Sequence, residues 1–198
     1  GICLGMQEMT TWPLNPRVTP MSNTTGTEGV SLPLNFTSEA GHSRLYGNMP
    51  PDLIKILVQE SVTPNYHHYG LPWTRYKSDK ALSSFYMTTT TNVDMKGLTF
   101  VSSIEARKYP FYGVQWHPEK INFWFTANGR INHSHNAVRV SQYVSNFLAD
   151  EAKKSKQAFK SILEQSRFLF DNYPVILSRK DLHTAYCFDD TDVPHFDG

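Results

Sequence analysis

Cysteine is scarce in this chain: Cys3 and Cys187 are the only two among 198 residues. Two cysteines make no disulfide framework, so their number leaves the redox compartment open. Long basic runs are lacking as well. The 19 Lys and Arg nearly balance 18 Asp and Glu. Without a basic stretch to track phosphates, nucleic acid is not an expected partner. No apolar stretch approaches the roughly 20 residues that a helix needs to cross a bilayer, so no membrane partner is expected. An initiating Met and a signal-peptide pattern are also missing. The chain opens on Gly1-Ile2-Cys3-Leu4-Gly5, which reads as the middle of a domain, so a fragment of a longer chain is the expectation.

What is present suffices for a core. Hydrophobic residues make up 39% of the chain and aromatic residues 13%, which fits one domain over 1–198. Three N-x-S/T sequons, at Asn23, Asn35 and Asn132, hint mildly at the secretory route and are the candidate glycosylation sites.

Patterning places the elements. Met6–Thr11 starts a short helix that Pro13 ends, and 14–28, rich in Pro, Asn, Thr and Gly, reads as loop. Val30–Leu34 is a short strand interrupted by Pro33. The apolar run within Pro51–Gln59 fits a helix or a helix leading into a strand, and periodicity alone does not decide. Residues 63–77 mix Pro, Gly, His and aromatics and read as loop. Ser78–Ser84 suits a short helix with Ser78 as its cap. The clearest β region follows: Phe85–Thr91, a turn at Asp94–Gly97, and Leu98–Ile104 returning. Phe111–Trp116 is a third strand. Ser134–Lys154 is the best helix, with Ala137, Val140, Val144, Phe147 and Leu148 on one face. From Lys156 onward the chain lacks a clear period and is expected to wrap the surface.

Two segments carry chemistry. Gly1-Ile2-Cys3-Leu4-Gly5 has the G-x-C-x-G form of a nucleophile elbow, a sharp turn that presents one side chain at the top of a sheet. A Cβ on either glycine is expected to collide with backbone drawn close by the turn. The following helix points its N-terminus at the sulfur, which favours the reactive thiolate form, and the Leu4 N–H can donate to a developing oxyanion. The same residues also suit a small cysteine buried in a Gly-rich turn.

The second segment is Tyr112-Gly113-Val114-Gln115-Trp116-His117-Pro118-Glu119. An apolar strand delivers His117 at its end, and Pro118 disfavours the helical region for it. In an extended chain residues two apart share a side, so Glu119 can accept the ring N–H of His117 and fix its tautomer. Taken alone, this is also what a surface histidine beside a salt-bridging glutamate looks like. Together with Cys3 it makes a nucleophile, a base and an orienting carboxylate.

G-x-C-x-G followed far downstream by Gly113-Val114-Gln115-Trp116-His117-Pro118-Glu119 resembles the class I glutamine amidotransferase superfamily. Pro33-Leu34-Asn35-Phe36-Thr37, His42-Ser43-Arg44, Asn65-Tyr66-His67, Tyr109-Pro110-Phe111-Tyr112, Asn136-Ala137-Val138 and Tyr186-Cys187-Phe188-Asp189 resemble its γ-glutamyl hydrolase branch. The resemblance runs through almost the whole chain. It implies an α/β three-layer sandwich, a central mixed sheet with helices on both faces, whose front part is missing here. Residues 1–155 would be the catalytic core and 156–198 a wrapping tail. It implies cysteine-dependent hydrolysis of γ-glutamyl bonds in folylpoly-γ-glutamates through a thioester, with Cys3 as nucleophile, His117 as base and Glu119 as its orienter. No metal or organic cofactor is implied. A homodimer, and a lysosomal or secreted location, are.

By the same resemblance His67 is a substrate-site or auxiliary catalytic residue, against the plainer reading of a loop histidine beside His68. Arg44 could pair with a substrate carboxylate or pin its own loop, and the latter is favoured. Cys187 is expected to be structural or paired outside this chain. The family carries a segment before the nucleophile that these residues lack, so the 198 residues alone are expected to fold poorly and turn over little substrate. Competing readings are a glutaminase domain that feeds ammonia to a synthase, and a truncated, non-catalytic binding or dimerisation module.

Overall fold

The computed structural model describes residues 1–125, 130–177, 184–186 and 188. The chain divides into two compact units, Gly1–Lys153 and Lys154–Gly198. In the first, chain order runs α1 (Leu4–Met9), β1 (Ser22–Asn23), β2 (Glu28–Leu32), β3 (Asn35–Phe36), α2 (Pro51–Gln59), β4 (Thr63–Tyr66), β5 (Tyr69–Gly70), α3 (Trp73–Ser78), α4 (Lys80–Phe85), β6 (Tyr86–Val93), β7 (Thr99–Ala106), β8 (Tyr112–Val114), α5 (Lys120–Phe123) and α6 (His135–Ala152).

The main sheet has the order β3-β6-β7-β8, each pair antiparallel. Its β6–β7 hairpin forms because β6 is a run of Thr and aromatic residues suited to a pleated surface. The Asp94 carboxylate closes the turn by accepting the N–H groups of Lys96 at 2.9 Å and Leu98 at 2.8 Å. At the far edge the chain start joins β8 in parallel. Cys3 N–H donates to the Val114 carbonyl at 2.8 Å, and Val114 N–H to that of Gly1 at 2.9 Å. The sheet is therefore mixed, as expected. Two smaller antiparallel pairs, β2–β4 and β1–β5, lie beside it in the same unit.

Two apolar clusters pack in this unit. One gathers Leu34, Leu45 and Tyr46 with Leu53, Ile56 and Leu57 of α2, Trp116, Ile121 of α5, and Ala137 and Val140 of α6. The other gathers Met6 and Met9 of α1 with Tyr76 of α3, Leu82 of α4, Tyr86 of β6, and Val101 and Ile104 of β7. Successive strand residues point to opposite faces. Ser103 bonds Tyr46 of the first cluster at 2.9 Å while its neighbour Ile104 belongs to the second, so the sheet separates them.

Several local expectations are corrected. Residues 63–77 are not loop: they hold β4, β5 and most of α3, because β2 and β1 supply partners that no local window shows. The run at 51–59 is helix throughout, with Pro51 in its first turn. The cap of α4 is Asp79, not Ser78; its carboxylate accepts the N–H groups of Ala81 and Leu82. The strand expected at 111–116 is only Tyr112–Val114. Ser134 caps α6, accepting from the Ala137 N–H at 3.2 Å. Leu148, expected on its buried face, is 64% exposed, because the helix has outrun the core by then.

The second unit holds α7 (Ile162–Phe168), capped by Ser161, and an antiparallel pair, β9 (Val175–Leu177) with β10 (Thr184–Tyr186). Cys187 lies outside the described residues.

Candidate active site

Cys3 sits between the parallel edge segment and α1. Its backbone has φ 50° and ψ −107°, and it is the only non-glycine with positive φ among the described residues. Such a conformation costs on the order of 1–3 kcal/mol and persists where its surroundings enforce it. Here the bonds to Val114 hold one side, and the Gln7 N–H, donating to the Cys3 carbonyl at 3.0 Å, holds the other. The glycine expectation is half right. A Cβ on Gly1 would lie 2.6 Å from the Gly5 carbonyl carbon, but one on Gly5 would meet nothing. The close approach that matters more is at Gly113, where a Cβ would stand 2.8 Å from Met6 Cγ. That glycine lets α1 lie on β8 and brings the elbow to the strand leading to His117.

His117 is half-buried, and its backbone N–H donates to the Pro64 carbonyl at 2.8 Å. Its Nδ1 stands 2.6 Å from Glu119 Oε1. The route differs from the extended one expected: β8 ends at Val114, and Pro118–Glu119 form a helical turn into α5. The pair meets through that turn. Nε2 is buried and makes no strict hydrogen bond, yet the Cys3 thiol is near enough to act on the ring. Burial opposes the imidazolium, but the bonds and charges of Cys3 and Glu119 outweigh it and raise the His117 pKa. Burial would raise the Glu119 carboxyl; His117 reverses this and holds it below its ordinary value. A loose sulfur–imidazole contact that tightens with substrate is common in resting sites.

The sequence did not single out the other groups around the sulfur. The Gln115 amide donates to Cys3 Sγ at 3.6 Å, and the Tyr66 carbonyl oxygen lies 3.9 Å from the sulfur. The Tyr66 ring stacks on Trp124 with centroids 5.0 Å apart and meets His117 edge-on at 6.3 Å. Lys120 Nζ is 3.2 Å from the Trp124 ring centroid and 5.5 Å from that of Tyr66. Burial lowers its pKa, against the pull of Glu119 and Cys3. A lysine following the His-Pro-Glu run was the one visible signal. The site is open: Leu4 is 72% exposed, and its backbone N–H has no partner among the described residues.

The remaining candidates make no hydrogen bond to the sulfur among the described residues. His67 is 4% exposed, with Nδ1 2.9 Å from the Tyr69 carbonyl and Nε2 3.1 Å from Asn65 Oδ1. Both nitrogens face oxygens, which suits a charged ring, but burial without a carboxylate wins and pushes its pKa down to about 4. Arg44 is spent on Glu105. Its Nε donates to that buried carboxylate at 2.9 Å, its Nη2 to the Tyr109 carbonyl at 2.7 Å, and the guanidinium lies 4.8 Å over the Tyr112 ring. Asn23 and Asn35 are exposed, whereas the Asn132 amide donates to the Ser61 carbonyl at 2.9 Å. Among the described residues no group of three or more His, Cys, Asp or Glu could hold a metal ion.

A positive-φ cysteine after an edge strand, followed by a helix and facing a histidine–glutamate pair, is the geometry of acyl-transfer enzymes with a nucleophile elbow. The family model for glutamine amidotransferase class-I matches residues 1–123. The chain belongs to the class I glutamine amidotransferase family. Within that family it is similar to the gamma-glutamyl hydrolase of Rattus norvegicus, 36% identical over 190 residues, 95% of this chain and 59% of the relative. The Homo sapiens gamma-glutamyl hydrolase is 36% identical over 192 residues, 96% of this chain and 59% of the relative. Gamma-glutamyl hydrolase B of Dictyostelium discoideum is 32% identical over 188 residues, 95% of this chain and 54% of the relative. This family member thus spans a little over half the length of these curated relatives.

Proposed function

We propose that this chain carries the nucleophile and base of a cysteine-dependent γ-glutamyl hydrolase acting on folylpoly-γ-glutamates. The observation that carries the reading is the strained Cys3 elbow set against the His117–Glu119 pair; the similarity to curated gamma-glutamyl hydrolases narrows the substrate. Cys3 Sγ attacks the γ-amide carbonyl carbon while His117 Nε2 takes the thiol proton. The carbonyl oxygen, now negative, accepts from the free Leu4 N–H. Collapse breaks the C–N bond, and His117 gives the proton to the departing α-amine of the next glutamate. Water, deprotonated by His117, then attacks the thioester; the C–S bond breaks, the His117 proton returns to the Cys3 sulfur, and the γ-carboxylic acid leaves, giving its own proton to solvent. Glu119 keeps the ring in the tautomer with Nε2 facing the sulfur.

The substrate is a polyanion with one α-carboxylate on every glutamate. Lys120, over the Tyr66–Trp124 ring pair and within electrostatic reach of Glu119 and Cys3, supplies a cation for one of these carboxylates. The exposed Asn23 and Asn35 suit a glycosylated protein of the lysosomal and secretory route.

The test is hydrolysis of pteroyl-pentaglutamate by the full-length protein and its Cys3→Ala variant. The parent should shorten the glutamate chain, and the variant should lose at least about a thousandfold in kcat. Turnover that survives Cys3→Ala would sink the cysteine mechanism. Ammonia release from free glutamine with the pentaglutamate left intact would move the protein to the glutaminase reading.

A further inference from the structure

Behind the nucleophile lies a chain of side-chain amides that the mechanism above does not use. Gln115 is fully buried, and a buried amide needs partners for its oxygen and its NH2. Gln7 Nε2 donates to the Tyr69 carbonyl at 2.8 Å and to Gln115 Oε1 at 3.2 Å. Gln115 Nε2 donates to Cys3 Sγ at 3.6 Å. The order of these bonds is forced. A backbone carbonyl only accepts, so Gln7 must turn its NH2 to Tyr69; Gln115 must then turn its oxygen to Gln7, which leaves its own NH2 for the sulfur. The Tyr69 carbonyl is itself held by His67 Nδ1 at 2.9 Å. One end of the relay is thus anchored in the β4–β5 corner, and the other ends on the reacting atom.

We propose that Gln115, oriented by Gln7, holds the Cys3 sulfur as a hydrogen-bond acceptor and is a further working residue of the nucleophile site. A sulfur that accepts from Gln115 has its thiol hydrogen turned away from the relay, toward the Tyr66 carbonyl at 3.9 Å in the resting site and free to pass to His117. The N–H bond strengthens as the sulfur gains charge, so it aids both steps in which the sulfur carries the electron pair: proton transfer to His117, and cleavage of the C–S bond when water resolves the thioester. It also offsets the Tyr66 carbonyl, an oxygen dipole 3.9 Å from the sulfur that opposes negative charge there.

The proposal rests on the cysteine chemistry proposed above, and its test reads the sulfur directly. In the full-length protein, alkylation of Cys3 by iodoacetamide at pH 7 is followed by mass of the Cys3 peptide, beside kcat and KM on pteroyl-pentaglutamate. Gln115→Met keeps the volume and removes the donor; alkylation and kcat should each fall roughly tenfold, with KM within about twofold, as for loss of one hydrogen bond to a charged group. Gln115→Glu is nearly isosteric but turns a carboxylate oxygen toward the sulfur, so it should fall further than Gln115→Met, an order that a packing role would not produce. Parent-like alkylation and kcat in a folded Gln115→Met protein overturn the proposal. If thermal unfolding shows that Gln115→Met does not fold, Gln7→Leu decides, its residue being outside the buried core: a fall of about threefold in alkylation supports the relay and an unchanged rate overturns it. Loss of activity in Cys3→Ala beside unchanged Gln115 variants would remove this inference alone and leave the hydrolase reading standing.

Discussion

Two corners of the molecule each enclose a histidine, His67 fully and His117 by half, and they treat it in opposite ways. At the β4–β5 corner His67 is packed edge-on against Phe100, with ring centroids 5.2 Å apart, and its nitrogens face three neutral oxygens, those of Tyr69, Thr24 and Asn65. At the β8–α5 corner His117 is packed edge-on against Tyr66 and faces a carboxylate and a thiol. Burial is the largest single influence on both rings and opposes their charge in both. Only His117 overcomes it. The difference teaches that the charge of the partner, more than depth of burial, decides which histidine can work as a base near neutral pH. A neutral amide oxygen orients a ring without holding its proton.

Removing the carboxylate from the His117 corner should have the largest effect. Glu119→Gln keeps the shape but leaves His117 facing a neutral amide, as His67 does. The kcat should fall roughly a hundredfold or more through loss of tautomer control. The sign of the pH change follows from the same pair. Glu119 helps to raise the His117 pKa, so without it the ring deprotonates at lower pH, and the acidic limb of kcat/KM should move to lower pH. A profile that stays in place while kcat falls would mean that Glu119 only positions the ring.

The converse change is next in size. Asn65→Asp puts a carboxylate 3.1 Å from His67 Nε2, where an amide oxygen now stands. The His67 titration, followed by NMR of its ring carbons, should move up from about 4 to above the ordinary histidine value of 6.5. A midpoint still near 4 would show that burial outweighs even a carboxylate at this corner, and the comparison of the two corners would fail.

The corners also differ in how far the sequence discloses them. The grouping of Cys3 with His117 and Glu119 is legible because the Gly-rich elbow and the His-Pro-Glu run are specific. The β6–β7 hairpin and α6 are legible because their signals are local: a β-branched run, a turn at Asp94–Gly97, and an apolar face at helical spacing. The β4–β5 corner reads as loop in the sequence. Its strands have four and two residues, and their partners in β2 and β1 lie 31 to 48 positions away, beyond any local pattern. Gln115, Gln7 and Lys120 were overlooked for a related reason. Glutamine and lysine are ordinary surface residues, and only contact across 108 positions turns Gln7 and Gln115 into one relay. Arg44 shows the reverse case: a residue fit for a carboxylate ligand is taken by Glu105, 61 positions on.

The smallest expected effect lies on stability and needs no substrate. His67 titrates near 4 in the native protein and near 6.5 in the unfolded chain. Above about pH 6.5 both states leave the ring neutral, and its contribution is fully present. As pH falls toward 4, the unfolded chain takes up a proton that the native ring refuses, so stability drops. The difference of about 2.5 in pKa is worth about 3 kcal/mol at most, and partial solvation of the ring trims this to roughly 2–3 kcal/mol. His67→Gln has no such proton to take up. Urea unfolding at pH 7 and pH 4.5 should show the parent losing about 2 kcal/mol more than the variant over that interval. Equal losses in the two proteins would mean that His67 already carries its proton in the folded state, bonded to both the Tyr69 and Asn65 oxygens, and the neutral ring assigned to that corner would have to be given up.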